Sequence, residues 1–264
     1  MKPTVKVIAF THFVGVPTDL WPNRDAAEIF EARNVKGQDS GSDSARLTEC
    51  AGRTCYDSYG KGRSSEDFHK HILEVGHGSV LEHASISFYI AGISRGCSHE
   101  LVRHRAGCAI SQRSTRYIDE SESDWCWHPL IERSAIANEN VTGAIDSVQA
   151  LAQQTYSHLA REIQFHLEQN GADKQTARKQ ARGAARGVLG NALETSMVWT
   201  ANIRALRNVI EQRASEFADA EIRLLANAML DAALDVCPEY FSDYEKVPCP
   251  DGIGYGVKTA FRKV

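Results

Sequence analysis

Long apolar runs are missing from this chain of 264 residues. No window approaches the roughly 18 consecutive apolar residues that a membrane-spanning helix needs. The first residues also lack the basic segment followed by an apolar stretch that marks a secretory signal peptide. The sequence therefore predicts a cytoplasmic protein that has no contact with a membrane.

A paired, regularly spaced set of cysteines is also missing. The chain has seven cysteines, an odd number that cannot pair completely. Only Cys50 and Cys55 lie close together, and their spacing does not match the ligand spacing of a structural zinc site. We expect free thiols in a reducing compartment and no bound metal.

An excess of positive charge is also missing, since the net charge is −4. Nucleic-acid-binding domains are usually basic, so no nucleic-acid partner is expected. The chain lacks a phosphate-binding GxxxxGK[ST] loop, a GxGxxG motif after a strand and an HExxH motif. No nucleophile elbow is present either. What the chain has instead is arginine, concentrated in segments 103–116 and 178–213.

Hydrophobic periodicity predicts an α+β fold in which helices outnumber strands. Alternation favours strands over 4–14 and 82–90, and offsets of three and four favour one long helix over 140–169, closed by Asn170 and Gly171. No linker divides the chain, so we expect a single domain over 1–264. Further helices are predicted at 24–34, 43–55, from Ser64 or Ser65 to just before Gly76, and at 94–105, 173–188, 204–214 and 216–236; extended segments are predicted at 113–118 and 193–203.

The first unusual polar stretch is the loop GHGSVLEH that leads into the strand at 82–90. His77 could stack on a ligand or donate to it, Ser79 could donate and Glu82 could accept. A helix end followed by a turn and a solvated strand face is the alternative interpretation.

Two more stretches follow. Arg103, His104 and Arg105 could direct two guanidiniums at one anionic ligand, or they could splay into solvent. In the extended run SQRSTRY at 111–117, one face would carry Gln112, Ser114 and Arg116 and the other Arg113, Thr115 and Tyr117. Such a ladder of donors suits a nucleotide, and a polar edge strand is the alternative.

The fourth stretch lies at the entry to a predicted helix. Asn202, Arg204 and Asn208 would sit where free backbone N–H groups favour anions. Further along, Arg207 and Arg213 taken alone could be surface charges. Many arginines without an obvious nucleophile indicate a site that binds anionic ligands and leaves the chemistry to a cofactor.

These residues resemble a known family. Arg103-His104-Arg105, eight residues and then Ser114 resemble the signature of the flavin-dependent thymidylate synthases. Around this signature the blocks GHGSVLEH, SHELVRHRAG, SQRSTRY, ARGVL, TANIRALRN and QRASEFADAEIR match in order, from about Gly76 to Leu225. The earlier block AGRTCYDS fits more loosely.

The resemblance implies a fold, an assembly and a reaction. The fold would be a mixed sheet packed with long helices, and the protein a homotetramer with active sites shared between subunits. It would bind FAD, take a one-carbon unit from 5,10-methylenetetrahydrofolate, oxidise NADPH and methylate dUMP to dTMP, without a cysteine nucleophile on the uracil. dUMP, the folate and a second copy of the chain are the implied partners.

The resemblance also assigns residues. The flavin contacts would come from His77, Ser79, Glu82, Arg103, His104, Arg105, Asn202, Arg204 and Asn208. The dUMP contacts would come from Glu100, Arg103, Gln112, Arg113, Ser114, Thr115, Arg116, Arg186 and Arg213. Arg213 would also be catalytic, because a fixed cation beside the uracil imide favours its anion and makes C5 more nucleophilic.

Four positions depart from the family pattern. Arg113 stands where Leu is usual, Phe217 where His is frequent, Gly190 where Pro is frequent and Ile110 where Tyr is common. Two alternatives are therefore kept open. One is a related enzyme that transfers the one-carbon unit to dUMP without reducing it, and the other is a non-catalytic nucleotide- or RNA-binding module.

Overall fold

The computed structural model describes residues 3–16, 28, 41–59 and 63–262. The predicted helix at 24–34, apart from Glu28, lies outside these residues. In order, the α-helices of the described part are α1 Asp43–Tyr56, α2 Ser65–Val75, α3 Arg95–Leu101, α4 Pro129–Ala137, α5 Glu139–Gln169, α6 Lys174–Ala185, α7 Ile203–Arg213 and α8 Ala220–Leu234. The strands are β1 Thr4–Phe10, β2 Ser85–Ser94, β3 Cys108–Gln112, β4 Glu194–Asn202, β5 Glu245–Pro248 and β6 Tyr255–Lys258. Helix and sheet together confirm the α+β class.

A four-stranded sheet has the order β1-β2-β4-β3. Asn202 N–H donates to the Gly107 carbonyl at 2.9 Å, and Arg113 N–H donates to the Ser196 carbonyl at 2.9 Å, so β3 and β4 run antiparallel. The Thr11 N–H to Ser85 carbonyl bond of 3.1 Å likewise joins the end of β1 to the start of β2. The expected mixed sheet is therefore wrong. The long connections from β1 to β2 and from β3 to β4 bring the chain back to the end of the sheet at which it left, so the strands of each of these pairs run antiparallel.

The two central strands lie where the sequence predicts extended chain. In β2 the buried face carries Ile86, Phe88 and Ile90, as the alternation in the sequence indicates, and the strand continues to Ser94. The extended segment predicted at 193–203 forms β4, in which every second residue is buried and Trp199 is fully enclosed.

By their internal contacts the residues group into two compact units. Unit one holds Ile90–Arg103 and Ser111–Met197 with the described part of Met1–Thr4. Unit two holds the described residues of Val5–Tyr89, His104–Ile110 and Val198–Val264. The single domain over 1–264 stays a prediction.

Unit one contains the long helix α5, whose 31 residues confirm the prediction over 140–169. Ala177, Ala181 and Ala185 form a fully buried stripe on α6, and such small side chains allow close helix approach. A short 3-10 turn, Arg186–Val188, then carries the chain towards β4.

The helix ends follow the expected cap chemistry. Ser64 Oγ accepts from Asp67 N–H at 3.1 Å and donates to the Asp67 carboxylate at 2.9 Å. Gly76 closes α2 in the left-handed conformation, with φ of 72°. The predicted start and end of this helix are both confirmed.

Three predicted boundaries are wrong. The segment 113–118 is not extended, because β3 ends at Gln112 and the N–H groups of Tyr117 and Ile118 both donate to the Ser114 carbonyl. Local bonds of this kind compete with a strand ladder. The helix expected to reach residue 105 ends at Leu101, and the helix expected from residue 216 starts at Ala220, after the capping residue Asp219.

Unit two is built around α7 and α8, which bury the predicted apolar positions Leu206, Val209 and Ile210 and, on α8, Ile222, Leu225, Ala226 and Met229. A hairpin of β5 and β6 follows, with antiparallel register from Glu245↔Lys258 to Pro248↔Tyr255. No α-helix within the described ranges combines the length and hydrophobicity that crossing a bilayer requires.

The structure corrects the interpretation of Arg207 as a surface charge. Its side chain is 0% exposed, and it donates to both carboxylate oxygens of Asp243, at 2.8 and 2.9 Å. It also donates to the carbonyls of Tyr240 and Phe261. Burial opposes ionisation of Asp243, but the bonds from Arg207 hold the pKa of this carboxyl below its ordinary value. Arg207 thus ties the C-terminal segment to α7.

Replacing Arg207 by Met should lower the free energy of unfolding by about 3–5 kcal/mol, because a buried carboxylate loses its partner. Urea denaturation followed by circular dichroism measures the change. Arg161→Met is the matched control, since its ion pair with Glu162 is exposed and should contribute less than about 1 kcal/mol. Equal effects in the two variants would contradict the structural role of Arg207.

Candidate active site

The strand-to-helix junction at Asn202 organises one group of predicted residues in unit two. Asn202 ends β4 and caps α7, with its Oδ1 accepting from Ala205 N–H at 2.8 Å. Gly107 approaches it with φ of +70°. A Cβ at Gly107 would lie 2.6 Å from Asn202 Nδ2 and 3.0 Å from Ala205 Cβ, so only glycine fits there.

A cavity of ≈ 420 Å³ opens beside this junction. It brings together four of the predicted flavin residues. Its lining consists of Glu82, Ala106, Gly107, Asn202, Arg204, Ala205, Asn208 and Glu211. Arg204 donates to Glu82 at 2.6 Å, and both side chains are about half exposed.

This donor set fits a flavin cofactor. Arg204 supplies a fixed cation in the first turn of α7, and Asn202 and Asn208 add amides. Guanidiniums favour phosphate oxygens, and amides match the edge of a flavin ring. Because residue 107 is a glycine, no side chain at this position fills the cavity.

His77 and Ser79 lie apart from the lining of that cavity. Both are exposed, around the 3-10 segment Gly78–Glu82. The His77 ring stacks on Tyr56, with centroids 5.9 Å apart and planes 19° apart. Tyr56 belongs to the loosely matching block AGRTCYDS, and it was not singled out from the sequence.

A second cluster of unit two joins His104 to Arg213. Arg213 Nε donates to His104 Nε2 at 2.9 Å. Burial, and next the positive charge of Arg213, lower the pKa of His104. The ring is therefore neutral at neutral pH and accepts through Nε2, which fixes the Arg213 side chain. The flanking residues Arg103 and Arg105 are exposed.

Unit one has its own arginine-lined cavity of ≈ 460 Å³. Thr115 and Arg186, both predicted dUMP residues, line it, and Arg186 donates to Thr115 Oγ1 at 3.1 Å. Arg95 lines the same cavity and lies 3.5 Å from the Arg113 carbonyl and from Thr195 Oγ1. Two guanidiniums beside a hydroxyl form a site for a doubly charged anion.

Arg95 was missed by the sequence reasoning. It is half-buried, and burial lowers its pKa, with Glu120 opposing and Arg186 adding to the shift. It starts α3 directly after β2, with Ser94 as the capping residue. The entry to a predicted helix pointed to Asn202, and the entry to the helix predicted at 94–105 could have pointed to Arg95 in the same way.

The other predicted dUMP residues have defined neighbours but do not line this cavity. Gln112 Nε2 donates to Ser98 Oγ at 2.9 Å and to Thr195 Oγ1 at 3.1 Å. Arg113 pairs with the buried Glu120 at 3.2 Å, which explains an arginine where the family pattern has Leu. Ser114 starts a turn, Arg116 is exposed and Glu100 is half-buried near the end of α3.

Two further departures from the family pattern also have structural settings. Gly190 lines the arginine cavity, and a Cβ there would lie 3.2 Å from the Trp125 ring, so the indole occupies part of the space. Phe217 is 90% exposed. No group of three His, Cys, Asp or Glu side chains in the described ranges could hold a metal ion.

Comparison with known proteins identifies the family to which this chain belongs. The model of the family described as thymidylate synthase complementing protein matches residues 39–239. The chain belongs to this family. A relative from Mycobacterium sp. (strain JLS), named flavin-dependent thymidylate synthase, is 46% identical over 215 residues, covering 79% of this chain and 83% of its own.

Other relatives of the family carry the same name. The protein of Mycobacterium avium (strain 104) is 46% identical over 213 residues, covering 78% of this chain and 82% of its own. The protein of Mycolicibacterium gilvum (strain PYR-GCK) is 44% identical over 212 residues, covering 79% and 82%. Both are named flavin-dependent thymidylate synthase.

Arg213→Gln should raise the pKa of His104 towards its ordinary value of 6.5, because the substitution removes a neighbouring positive charge. In the wild type the native ring resists protonation, so stability is lost as pH falls from 6.5 towards the lower folded-state pKa. NMR of histidine-labelled protein measures the pKa of His104 in the wild type and in the variant. Arg204→Gln serves as the control, and a His104 pKa that ignores the Arg213 substitution would refute the pairing.

Proposed function

We propose that the protein is a flavin-dependent thymidylate synthase that converts dUMP to dTMP. One observation carries the proposal: Arg95, Thr115 and Arg186 converge on one cavity in a chain 46% identical to enzymes of that name. The one-carbon donor is 5,10-methylenetetrahydrofolate, and NADPH is the reductant. The relatives' names favour this reaction over a hydroxymethyl product or a non-catalytic nucleotide- or RNA-binding module.

The nucleotide phosphate is assigned to the arginine cavity of unit one. Arg95 and Arg186 would bind its oxygens and Thr115 would donate to them, since guanidiniums keep their charge and fit phosphate bidentately. The remaining contacts to sugar and uracil are assigned to Glu100, Arg103, Gln112, Arg113, Ser114, Arg116 and Arg213. The bonds from Gln112 to Ser98 and Thr195 would hold its amide in position.

FAD is assigned to the cavity of unit two. Asn202, Arg204 and Asn208 would hold the cofactor, with Glu82 orienting Arg204 through their ion pair. His77, Ser79, Arg103, His104 and Arg105 complete the set that the family resemblance implies. When bound and reduced, the flavin supplies hydride to the transferred one-carbon unit.

Arg213 is assigned the activation of the uracil. Its guanidinium is held through Nε by the neutral His104, and its charge does not depend on pH in the working range. A cation fixed beside N3 stabilises the ring anion, which raises electron density at C5. This residue thus supplies nucleophilicity that other enzymes obtain from a covalent thiolate.

The cysteines support a reaction without a thiol nucleophile. Burial raises the pKa of Cys108 to about 11, so its thiolate is scarce at neutral pH. Cys97 is almost fully buried. Neither is suited to attack a pyrimidine.

A homotetramer with shared active sites is also proposed, in the cytoplasm. The structure describes every residue of α5, and Tyr156 is the only one of them that is buried, although the helix is amphipathic over its whole length. Val148, Leu151 and Phe165 on this helix are 54%, 65% and 60% exposed. Contact with a second copy of the chain would cover such side chains.

The decisive test is product analysis. Purified protein supplied with FAD, NADPH, methylenetetrahydrofolate and dUMP should release C5 hydrogen and form dTMP, identified by mass spectrometry. Arg213→Ala should lower turnover by at least about 100-fold while flavin absorbance persists. Cys108→Ser should retain activity. Hydroxymethyl-dUMP as the product, or full turnover by Arg213→Ala, would overturn the respective assignment.

Arg95→Gln should raise the dUMP KM about tenfold or more, because a charged hydrogen bond to phosphate is lost. Steady-state kinetics with varied dUMP measures the effect. The control is Arg178→Gln, an exposed arginine of α6 that lines neither the arginine cavity nor the proposed flavin cavity. If Arg95→Gln bound dUMP as tightly as the wild type, the phosphate would have to lie elsewhere.

A further inference from the structure

A second cavity of unit two, here called the hairpin cavity, adjoins the proposed flavin cavity. Its volume is ≈ 470 Å³. Asn208 and Glu211 line both cavities, so the two lie side by side along α7. The opposite wall comes from the β5–β6 hairpin and the residues just after it. This wall lies beyond residue 239, where the family match ends.

The hairpin wall is firmly held. Val257 N–H donates to the Ala214 carbonyl at 2.8 Å, which fixes β6 against the end of α7. Asn227 of α8 makes two bonds to the backbone of Tyr255, at 2.9 and 2.8 Å. The buried Arg223 pairs with Asp251 in the hairpin turn. Such anchoring makes the wall a preformed surface.

The lining of the hairpin cavity has an apolar, aromatic part and a cationic part. Phe217, 90% exposed, offers an open aromatic face beside the apolar Val247 and Val257. Lys258 and Arg262 line the cavity too, and neither forms an ion pair within the described residues. A ring can stack on Phe217, and a phosphate or carboxylate can bind the two cations.

Two carboxylates complete the pattern. Glu211 and Glu216 line the same cavity, and the Tyr244 hydroxyl donates to Glu211 at 3.0 Å. Carboxylates accept hydrogen bonds from amino groups on a heteroaromatic ring, as they would from an adenine or a pterin. The cavity therefore matches a ring with N–H donors that is linked to an anionic group.

We propose that the hairpin cavity binds a co-substrate of this class beside the flavin, with its ring on Phe217 and its anionic group on Lys258 and Arg262. The inference rests on the proposed function for its link to the reaction. Two co-substrates share the chemistry: the phosphorylated adenosine of NADPH and the pterin–glutamate chain of the folate. The hairpin would then determine specificity for one of them in this chain.

Calorimetry with the FAD-supplied, full-length protein tests the inference with non-reacting probes. NADP⁺ stands for the nucleotide and 5-formyltetrahydrofolate for the folate. The double substitution Lys258→Gln with Arg262→Gln should weaken one probe about tenfold or more, as expected from the loss of charged hydrogen bonds. Phe217→Ala should weaken the same probe about fivefold or more by removing a stacking face. Because all three residues are exposed, these variants should fold.

The probe that loses affinity identifies the source of the ligand. Lys6→Gln, an exposed cation on β1, is the control and should bind both probes like the wild type. Unchanged affinity for both probes in the double variant would overturn the inference, even if the wild type makes dTMP. Conversely, probe binding that depends on Lys258 and Arg262 in a protein that makes no dTMP would refute the proposed function alone.

Discussion

The contact between Gly107 and Asn202 is the constraint on which the proposed flavin cavity depends. The left-handed glycine allows the chain before β3 to reach the capping side chain of α7, and no side chain at residue 107 would fit. The same asparagine ends β4 through its backbone bond to Gly107. Once this junction is set, the helix period places Arg204 and Asn208 along the cavity and Arg213 beside His104.

One helix thus carries arginines with opposite tasks. On α7, Arg207 is enclosed and its charge is neutralised by Asp243, so it holds the C-terminal segment in place. Arg213 contacts a neutral imidazole, so its positive charge is not cancelled by that partner. In the proposed function the charge of Arg213 acts on the uracil, and the neutral His104 ring that accepts from its Nε holds the side chain without adding a negative charge of its own.

The sequence predicted what depends on local periodicity and local caps. The helix α5, the buried face of β2 and the Ser64–Asp67 cap all follow from residues a few positions apart. It could not predict what depends on distant partners. The burial of Arg207 needs Asp243, 36 residues away, and the arginine cavity needs Arg95 and Arg186 to meet. The extended segment predicted at 113–118 is wrong for a related reason. The Ser114 carbonyl can accept from backbone N–H groups in a turn as well as in a strand.

The charge distribution explains how an acidic chain can still bind anions selectively. Asp and Glu exceed Lys and Arg by four over the whole chain, so its overall field repels polyanions. In the proposed flavin cavity and in the arginine cavity, guanidiniums lie partly out of water, where an opposing charge is felt more strongly. Burial and Arg186 both lower the pKa of Arg95, which means that its cation is held at a cost that an incoming dianion would relieve. A small phosphate that enters either cavity therefore meets partly desolvated cations, which the net charge of the chain alone does not report.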